Sequence, residues 1–235
     1  MNQVSAALLA GGLATRLGDI AKDTPKAMLE VEGRPFIAWQ LERLASQGVK
    51  KAVLCVGHLA GALKDFVGDG TRFGVQVAWS EDGERPLGTG GALKKALGLP
   101  SDPFYTLYAD SWLEVDWAPL FERLKQSGAE AVMSVLHDRG ALQPSNARFE
   151  QGWVKAYSKQ APGPDFEHTD YGLSLFTRRA FDRVEGQSFD LGELQGALAA
   201  AGTLAGVEVS RRFYEIGTPE GLREARELFK GRKSA

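Results

Sequence analysis

Cysteine is nearly absent from this chain. Cys55 is the sole one in 235 residues, so no disulfide forms within it. It lies in the apolar run Ala52-Val53-Leu54-Cys55-Val56, where a buried, inert thiol is expected rather than a nucleophile. No apolar stretch approaches the roughly 20 residues of a membrane span. Met1 to Gln3 lead straight into an apolar strand, without the charged and apolar regions of a secretion signal. A cytoplasmic location with no membrane partner is the expectation. With 28 basic and 30 acidic residues the net charge is −2, too little to steer the chain towards nucleic acid. Histidine is scarce as well: His58, His137 and His168 lack metal-ligand spacing and are expected in ordinary surface or core roles. There is no Walker string, no third glycine of a dinucleotide fingerprint and no internal repeat.

What is present begins at Val4 to Pro35. The apolar segment Val4 to Ala10 closes on Gly11-Gly12, which suits a strand buried on both faces, and so a parallel sheet. The glycine pair lets main-chain N–H groups approach an anion, and Arg16 and Lys26 supply charge that amides alone cannot. A glycine pair after a buried strand also serves as a plain tight turn. After a short extended piece at 27–31, Arg34-Pro35 opens an amphipathic helix through about Gln47, with Pro35 in its first turn. Strands follow at 51–57 and 75–80, with a helix at 59–67 between them. The alternation predicts an α/β fold, a Rossmann-like, doubly wound, mostly parallel sheet with its crevice at the C-terminal strand ends.

Further along, Pro86-Leu87-Gly88-Thr89-Gly90-Gly91-Ala92 precedes a helical run at 93–97, and its glycines permit a flat ring or a ribose to come close. The strand from Pro103 to Ala109 ends on Asp110, whose carboxylate points into the crevice, where it serves either as a cap or solvated turn or as a ligand for a hard cation. Asp116 is expected to cap a helix from Trp117 to Gln126. A strand at 131–136, a hairpin around Gln151-Gly152, a loop at 159–164 and a strand at 169–176 complete the pattern. Gly172 in that last strand allows a ligand ring to pack against the main chain, or forms a bulge. Trp112 and Trp153 are candidates to border a ligand pocket. Thr218-Pro219-Glu220 reads as cap, first-turn proline and acidic first turn of a helix through about Phe229, ahead of a small basic tail.

Gly-Gly-Leu-Ala-Thr-Arg-Leu with Thr24-Pro25-Lys26-Ala27-Met28, then Pro-Leu-Gly-Thr-Gly-Gly-Ala, the strand-end Asp110 and Tyr214-Glu215-Ile216-Gly217-Thr218-Pro219-Glu220 follow one another in an order that resembles the sugar-1-phosphate nucleotidyltransferases, also called nucleotide-sugar pyrophosphorylases. The resemblance covers essentially the whole chain. It implies the nucleotide-diphospho-sugar transferase fold in a single domain, with residues 1–136 as nucleotide-binding half and 137–235 as sugar-binding half with the C-terminal helix. It also implies Mg²⁺-dependent transfer of a nucleotidyl group from a nucleoside triphosphate to a sugar 1-phosphate. Arg16, Lys26 and Asp110 then take the catalytic positions. Leu9, Ala10, Gly11, Gly12, Leu87, Gly88, Thr89 and Gly90 hold the nucleotide. Lys159, Tyr171 and Gly172 hold the sugar phosphate, and Asp110 with Glu215 holds magnesium.

The chain departs from that pattern at three places. Ala109 replaces a glycine, Ser158 replaces the glutamate before Lys159, and Glu215 replaces a shorter aspartate. Within the family the wording most resembles guanylyltransferases of heptose 1-phosphates, which implies GTP. Uridylyltransferases of N-acetylmuramate 1-phosphate share most of it. Ser158 and Glu215 also fit a catalytically idle nucleotide-sugar-binding regulator. A nicotinamide-dependent oxidoreductase is the weaker alternative, because Arg16 and Lys26 would have no purpose in it. Sequence alone does not give the oligomeric state, a homodimer being one option.

Overall fold

The computed structural model describes residues 4–12, 17, 24–57 and 60–232. Its strands and helices run β1 (Ser5–Leu9), β2 (Glu30–Val31), β3 (Arg34–Pro35), α1 (Phe36–Ser46), β4 (Lys51–Val56), α2 (Ala60–Val67), β5 (Gln76–Glu81), α3 (Gly88–Ala96), β6 (Phe104–Tyr108), β7 (Ser111–Trp112), α4 (Ala118–Ser127), β8 (Ala131–His137), β9 (Ala147–Glu150), β10 (Trp153–Tyr157), β11 (His168–Phe176), α5 (Leu191–Ala200), β12 (Leu204–Val209), β13 (Tyr214–Glu215) and α6 (Pro219–Phe229). All five residues of β1 are buried. Its alternate side chains feed two cores: Ala6 and Leu8 pack with Ile37, Leu41 and Leu63, while Ala7 and Leu9 pack with Leu93 and Leu194. This two-faced burial is what a continuous apolar strand in a parallel sheet requires.

The main sheet has nine strands in the order β5-β4-β1-β6-β11-β8-β12-β10-β9. β5, β4, β1 and β6 are mutually parallel, as are β8 and β12. β11 enters antiparallel between β6 and β8, and β10 runs against both of its neighbours. The sheet is therefore of the expected doubly wound, largely parallel kind, with a strand from beyond residue 136 inserted into its centre. The β9–β10 hairpin turns through Gln151 and Gly152 at φ 50° and 79°, the left-handed pair that such a two-residue turn needs. No helix among the described residues is long and apolar enough to cross a membrane.

Several local expectations are corrected. Lys26–Met28 forms a turn of 3₁₀ helix, and only Glu30–Val31 is extended. Arg34-Pro35 pairs with that strand, so α1 begins at Phe36, whose N–H donates to the Leu29 carbonyl. α3 starts at Gly88 instead of Leu93. Asp116 does not cap α4: the cap position is Trp117, without a side-chain acceptor, and Trp117 N–H donates to Gln47 across the chain. Thr218 does cap α6, accepting from Gly221 N–H, with Pro219 in the first turn.

A third apolar cluster joins Phe36, Trp39, Trp112 and Phe229. The Phe229 ring lies 4.8 Å from Trp39 and 4.7 Å from Trp112. It docks α6 and with it the preceding β13, which pairs antiparallel with β7 in register Glu215 to Ser111. Burial of these four large aromatics, each contributing on the order of 2 kcal/mol or more, thus fixes the segment that carries Glu215. Trp112 belongs to this core, and Trp153 packs beneath the Arg123 guanidinium, so neither borders a sugar pocket.

Candidate active site

Two cavities open at the C-terminal ends of β1 and β6, beside the N-terminal half of the antiparallel β11. The first, of about 320 Å³, is lined by the main chain after β1 (Leu9, Ala10, Gly11, Gly12), by Asp82 and Pro86, and by Gly88 and Thr89 at the start of α3. The second, of about 480 Å³, is polar and is walled by Asn146, Lys159, Asp170, Tyr171, Gly172, Asp190 and Glu215, among others. Lys26, Thr89, Tyr108 and Asp110 line both, and so stand at the junction.

Two short connections bring these groups together. Asp110 follows β6, and its carbonyl accepts the Ile216 N–H at 3.0 Å, which seats Glu215 beside it along the β7–β13 ladder. Lys26 reaches across from the 3₁₀ turn to place Nζ 3.0 Å from Oδ2 of Asp110. Gly217 closes the group, since a Cβ there would lie 3.2 Å from Lys26 Nζ and 3.7 Å from Asp110 Oδ2. Gly11 packs its main chain on that of Gly57, where a Cβ would meet Gly57 N at 3.3 Å. Arg16 lies outside the described residues, as does His58.

The glycines at the start of α3 have another duty than the one expected. The N–H groups of Gly90 and Gly91 donate to the Phe189 carbonyl, at 3.0 and 3.2 Å. A Cβ at Gly90 would come 2.2 Å from the Phe189 ring, and one at Gly91 2.2 Å from the Gln187 carbonyl. Their smallness lets the 187–190 segment lie against the helix. Gly88 and Thr89 line the first cavity, whereas Gly90 does not, and Leu87 faces a separate groove with Gln187.

That close packing joins two helix N-termini. Thr89 Oγ1 donates to Asp190 Oδ2 at 2.9 Å and accepts the Leu191 N–H at 2.8 Å. Asp190 caps α5 in a reciprocal box with Glu193. Lys159 Nζ lies 3.5 Å from Asp190 and 3.4 Å from the Tyr108 hydroxyl. Lys159 gives this wall of the second cavity its positive charge, whereas the first N–H groups of α5 are already taken by Thr89 and Asp190. Burial works against the Lys159 ammonium, but Tyr108, Asp170 and Asp190 outweigh it and hold its pKa above the ordinary value. Burial likewise opposes ionisation of Asp190, yet Lys159, the Gly192 N–H and Thr89 bring its pKa below the usual carboxylate value. Tyr108 is pushed up to about 12, chiefly by burial, and stays a protonated donor at the junction.

Asp170 was not among the residues singled out in the sequence. It is 8% exposed, and its carboxylate accepts from Tyr157 at 3.2 Å, Gln195 Nε2 at 3.1 Å and Gly172 N–H at 2.9 Å. Gly172, at φ 89°, lies where the β11–β8 register shifts, so the glycine makes a bulge and also lines the cavity. Ser158 serves a turn, accepting the Ala161 N–H at 3.0 Å. Cys55 is buried and its pKa is pushed up to about 12 by desolvation, as an inert thiol requires.

A family model described as a MobA-like NTP transferase domain matches residues 6–182. A D-glycero-alpha-D-manno-heptose 1-phosphate guanylyltransferase from Campylobacter jejuni is 36% identical over 117 residues, 50% of this chain and 52% of its own. A mannose-1-phosphate guanylyltransferase from Mycobacterium tuberculosis is 28% identical over 240 residues, 98% of this chain and 66% of its own. The chain thus spans between about half and two thirds of the curated relatives it matches. Uridylyltransferases match as well. The crystal structure of HddC from Yersinia pseudotuberculosis complexed with GMP-PN superposes with a TM-score of 0.79 at 24% identity, covering 96% of this chain and 99% of that one, which is a likeness of fold.

Proposed function

This chain belongs to the MobA-like NTP transferase domain family, and from that premise we propose that it transfers a nucleotidyl group from a nucleoside triphosphate to a sugar 1-phosphate, releasing pyrophosphate. One observation carries the reading: two cavities of different character share Lys26, Thr89, Tyr108 and Asp110. A nucleotide in the first and a sugar phosphate in the second would meet at that boundary.

The reaction forms a bond from a sugar-phosphate oxygen to the α-phosphorus and breaks the bond from the α-phosphorus to the bridging oxygen, whose electron pair leaves with pyrophosphate. A phosphate monoester has its second pKa near about 6, so the nucleophile is already largely ionised at neutral pH and needs no protein base. The residues therefore have to position two polyanions and offset their charge. Lys26 is assigned to the triphosphate, Lys159 to the incoming phosphate, and Asn146, Asp170 and Asp190 to sugar hydroxyls. Arg16 is assigned to the triphosphate on its sequence position. Asp110 and Glu215 form an all-oxygen donor pair on the wall of one cavity, a donor set that fits Mg²⁺. When bound there, the ion would offset charge developing around the α-phosphate.

GTP and a heptose 1-phosphate are the favoured substrates, supported by the wording of the motifs and by guanylyltransferases among the relatives. Uridylyl transfer to N-acetylmuramate 1-phosphate or another hexose 1-phosphate is the second reading, supported by a relative of that name. Pyrophosphate release from the five common triphosphates against a panel of sugar 1-phosphates, with and without Mg²⁺, tests the proposal. Selective release with one pair is expected. Binding without release for every pair would leave the idle regulator in its place.

A further inference from the structure

Outside the two cavities, three neighbouring strands hold His168 on β11, His137 on β8 and Glu208 on β12. His168 and His137 are register partners, and Glu208 stands opposite Val135, two positions from His137 and on the same face. One possible ligand atom from each lies within 4.8 Å of the others. We propose that His137, His168 and Glu208 bind a divalent metal ion of the zinc class, at a site separate from the Asp110 and Glu215 pair.

The donor set selects the ion. Two imidazoles and one carboxylate suit zinc, whereas magnesium prefers oxygen alone. With zinc–nitrogen bonds of about 2.0 Å, tetrahedral ligand atoms stand roughly 3.3 Å apart, so the three must draw in by at most about 1.5 Å. His168 is the fixed member, 9% exposed and held edge-on by the Phe149 ring at 5.3 Å. His137 and Glu208 are exposed and can turn towards it. At present the two imidazoles stack at 4.7 Å, and coordination would exchange that contact for in-plane lone pairs. Glu167 and Arg139 both lie 3.4 Å from Nε2 of His137. Among the described residues Arg139 is the opposing charge in contact with that ring, and at 72% exposure it can withdraw towards Glu167, already 3.9 Å away.

Three protein ligands leave a fourth position, and His137 and Glu208 border an open groove of about 810 Å³ from which water can supply it. His137 also precedes the segment whose residues Gln143 to Asn146 wall the second cavity. An ion here would pin the foot of that segment to β11 and β12.

The test uses the full chain stripped with a chelator and dialysed, then titrated with zinc chloride by calorimetry and with cobalt chloride by visible absorption. One equivalent of zinc with a Kd of roughly micromolar or tighter is expected, together with visible cobalt bands of a four-coordinate site. His137→Ala and Glu208→Gln, both at exposed positions, should each weaken zinc at least about tenfold and abolish the cobalt bands. Asp110→Asn should leave both unchanged. Absence of stoichiometric binding, binding that survives either of the first two substitutions, or binding lost with Asp110→Asn overturns the site.

Discussion

Lys26 Nζ lies 3.0 Å from Asp110 Oδ2, so a cation from the first crossover and a carboxylate from a strand end 84 positions later neutralise each other at the junction of two cavities. Both side chains keep about a fifth of their surface open, at 22% and 23%. A pair this hydrated contributes about 1 kcal/mol or less to stability.

Asp110→Asn is therefore expected to separate folding from turnover. Activity measured as pyrophosphate release should fall by roughly 10²–10³-fold, the size of effect seen when one electrostatic partner of a transition state is removed. The urea unfolding free energy should move by no more than about 1 kcal/mol. Near-normal release would remove Asp110 from the chemistry.

Asp170 should behave differently, because it is buried and already satisfied. Asp170→Asn turns an amide NH₂ towards one or more of three donors, Tyr157, Gln195 and the Gly172 N–H. An unsatisfied buried group costs about 1–3 kcal/mol, which urea unfolding would register. If Asp170 also receives the sugar, the KM for sugar phosphate rises while that for the triphosphate stays put. Equal changes in both KM values would assign it a purely structural role.

The glycine run gives a third test. In an ordinary exposed helix Gly→Ala gains up to about 1 kcal/mol. At Gly90 the new methyl would stand 2.2 Å from the ring of Phe189, itself 6% exposed and unable to yield. Overpacking of that kind costs about 1–3 kcal/mol, so Gly90→Ala should lower the urea midpoint. A raised midpoint would mean that the 187–190 segment is free to lift off the helix.

Much of this was legible in the sequence, for identifiable reasons. β1 and β4 were legible because continuous apolar runs ending in glycine are local signals, and Thr218-Pro219-Glu220 announced α6 in the same way. Asp110 and Glu215 could be paired only through the family resemblance, since a two-residue ladder such as β7–β13 has no sequence period to detect. α5 left no helical stripe: Leu191–Ala200 is apolar and small almost all round, as befits a helix packed on several sides. Missing α5 meant missing Asp190, and with it the contact that explains why Gly88, Gly90 and Gly91 are small. The insertion of β11 between β6 and β8 is a non-local pairing, invisible to any window along the chain. Asp170 looked like an ordinary strand residue because its two side-chain partners, Tyr157 and Gln195, lie 13 and 25 positions away.

Glu130 supplies the pH dependence. Its side chain is 7% exposed and receives two hydrogen bonds from Arg183, at 2.8 and 2.6 Å, with Arg179 at 3.7 Å. The Arg183 hydrogen bonds, opposed by burial and reinforced by the charges of both arginines, hold its pKa below the ordinary glutamate value. A carboxylate whose folded pKa lies below its unfolded one binds fewer protons when folded. Its stabilising contribution is therefore present above the unfolded value, declines as pH falls below about 4.5, and is gone once pH passes below the folded pKa. Glu130→Gln should lower stability at pH 7 and flatten the acid limb of the stability curve below about pH 4.5, while leaving its slope between pH 5 and 7 as in the parent. Unfolding free energies measured at close pH intervals would decide it. An acid limb equally steep in the variant would place the titrating carboxylates elsewhere, with Asp190 and Glu114, whose pKa values are also lowered, as the next to substitute.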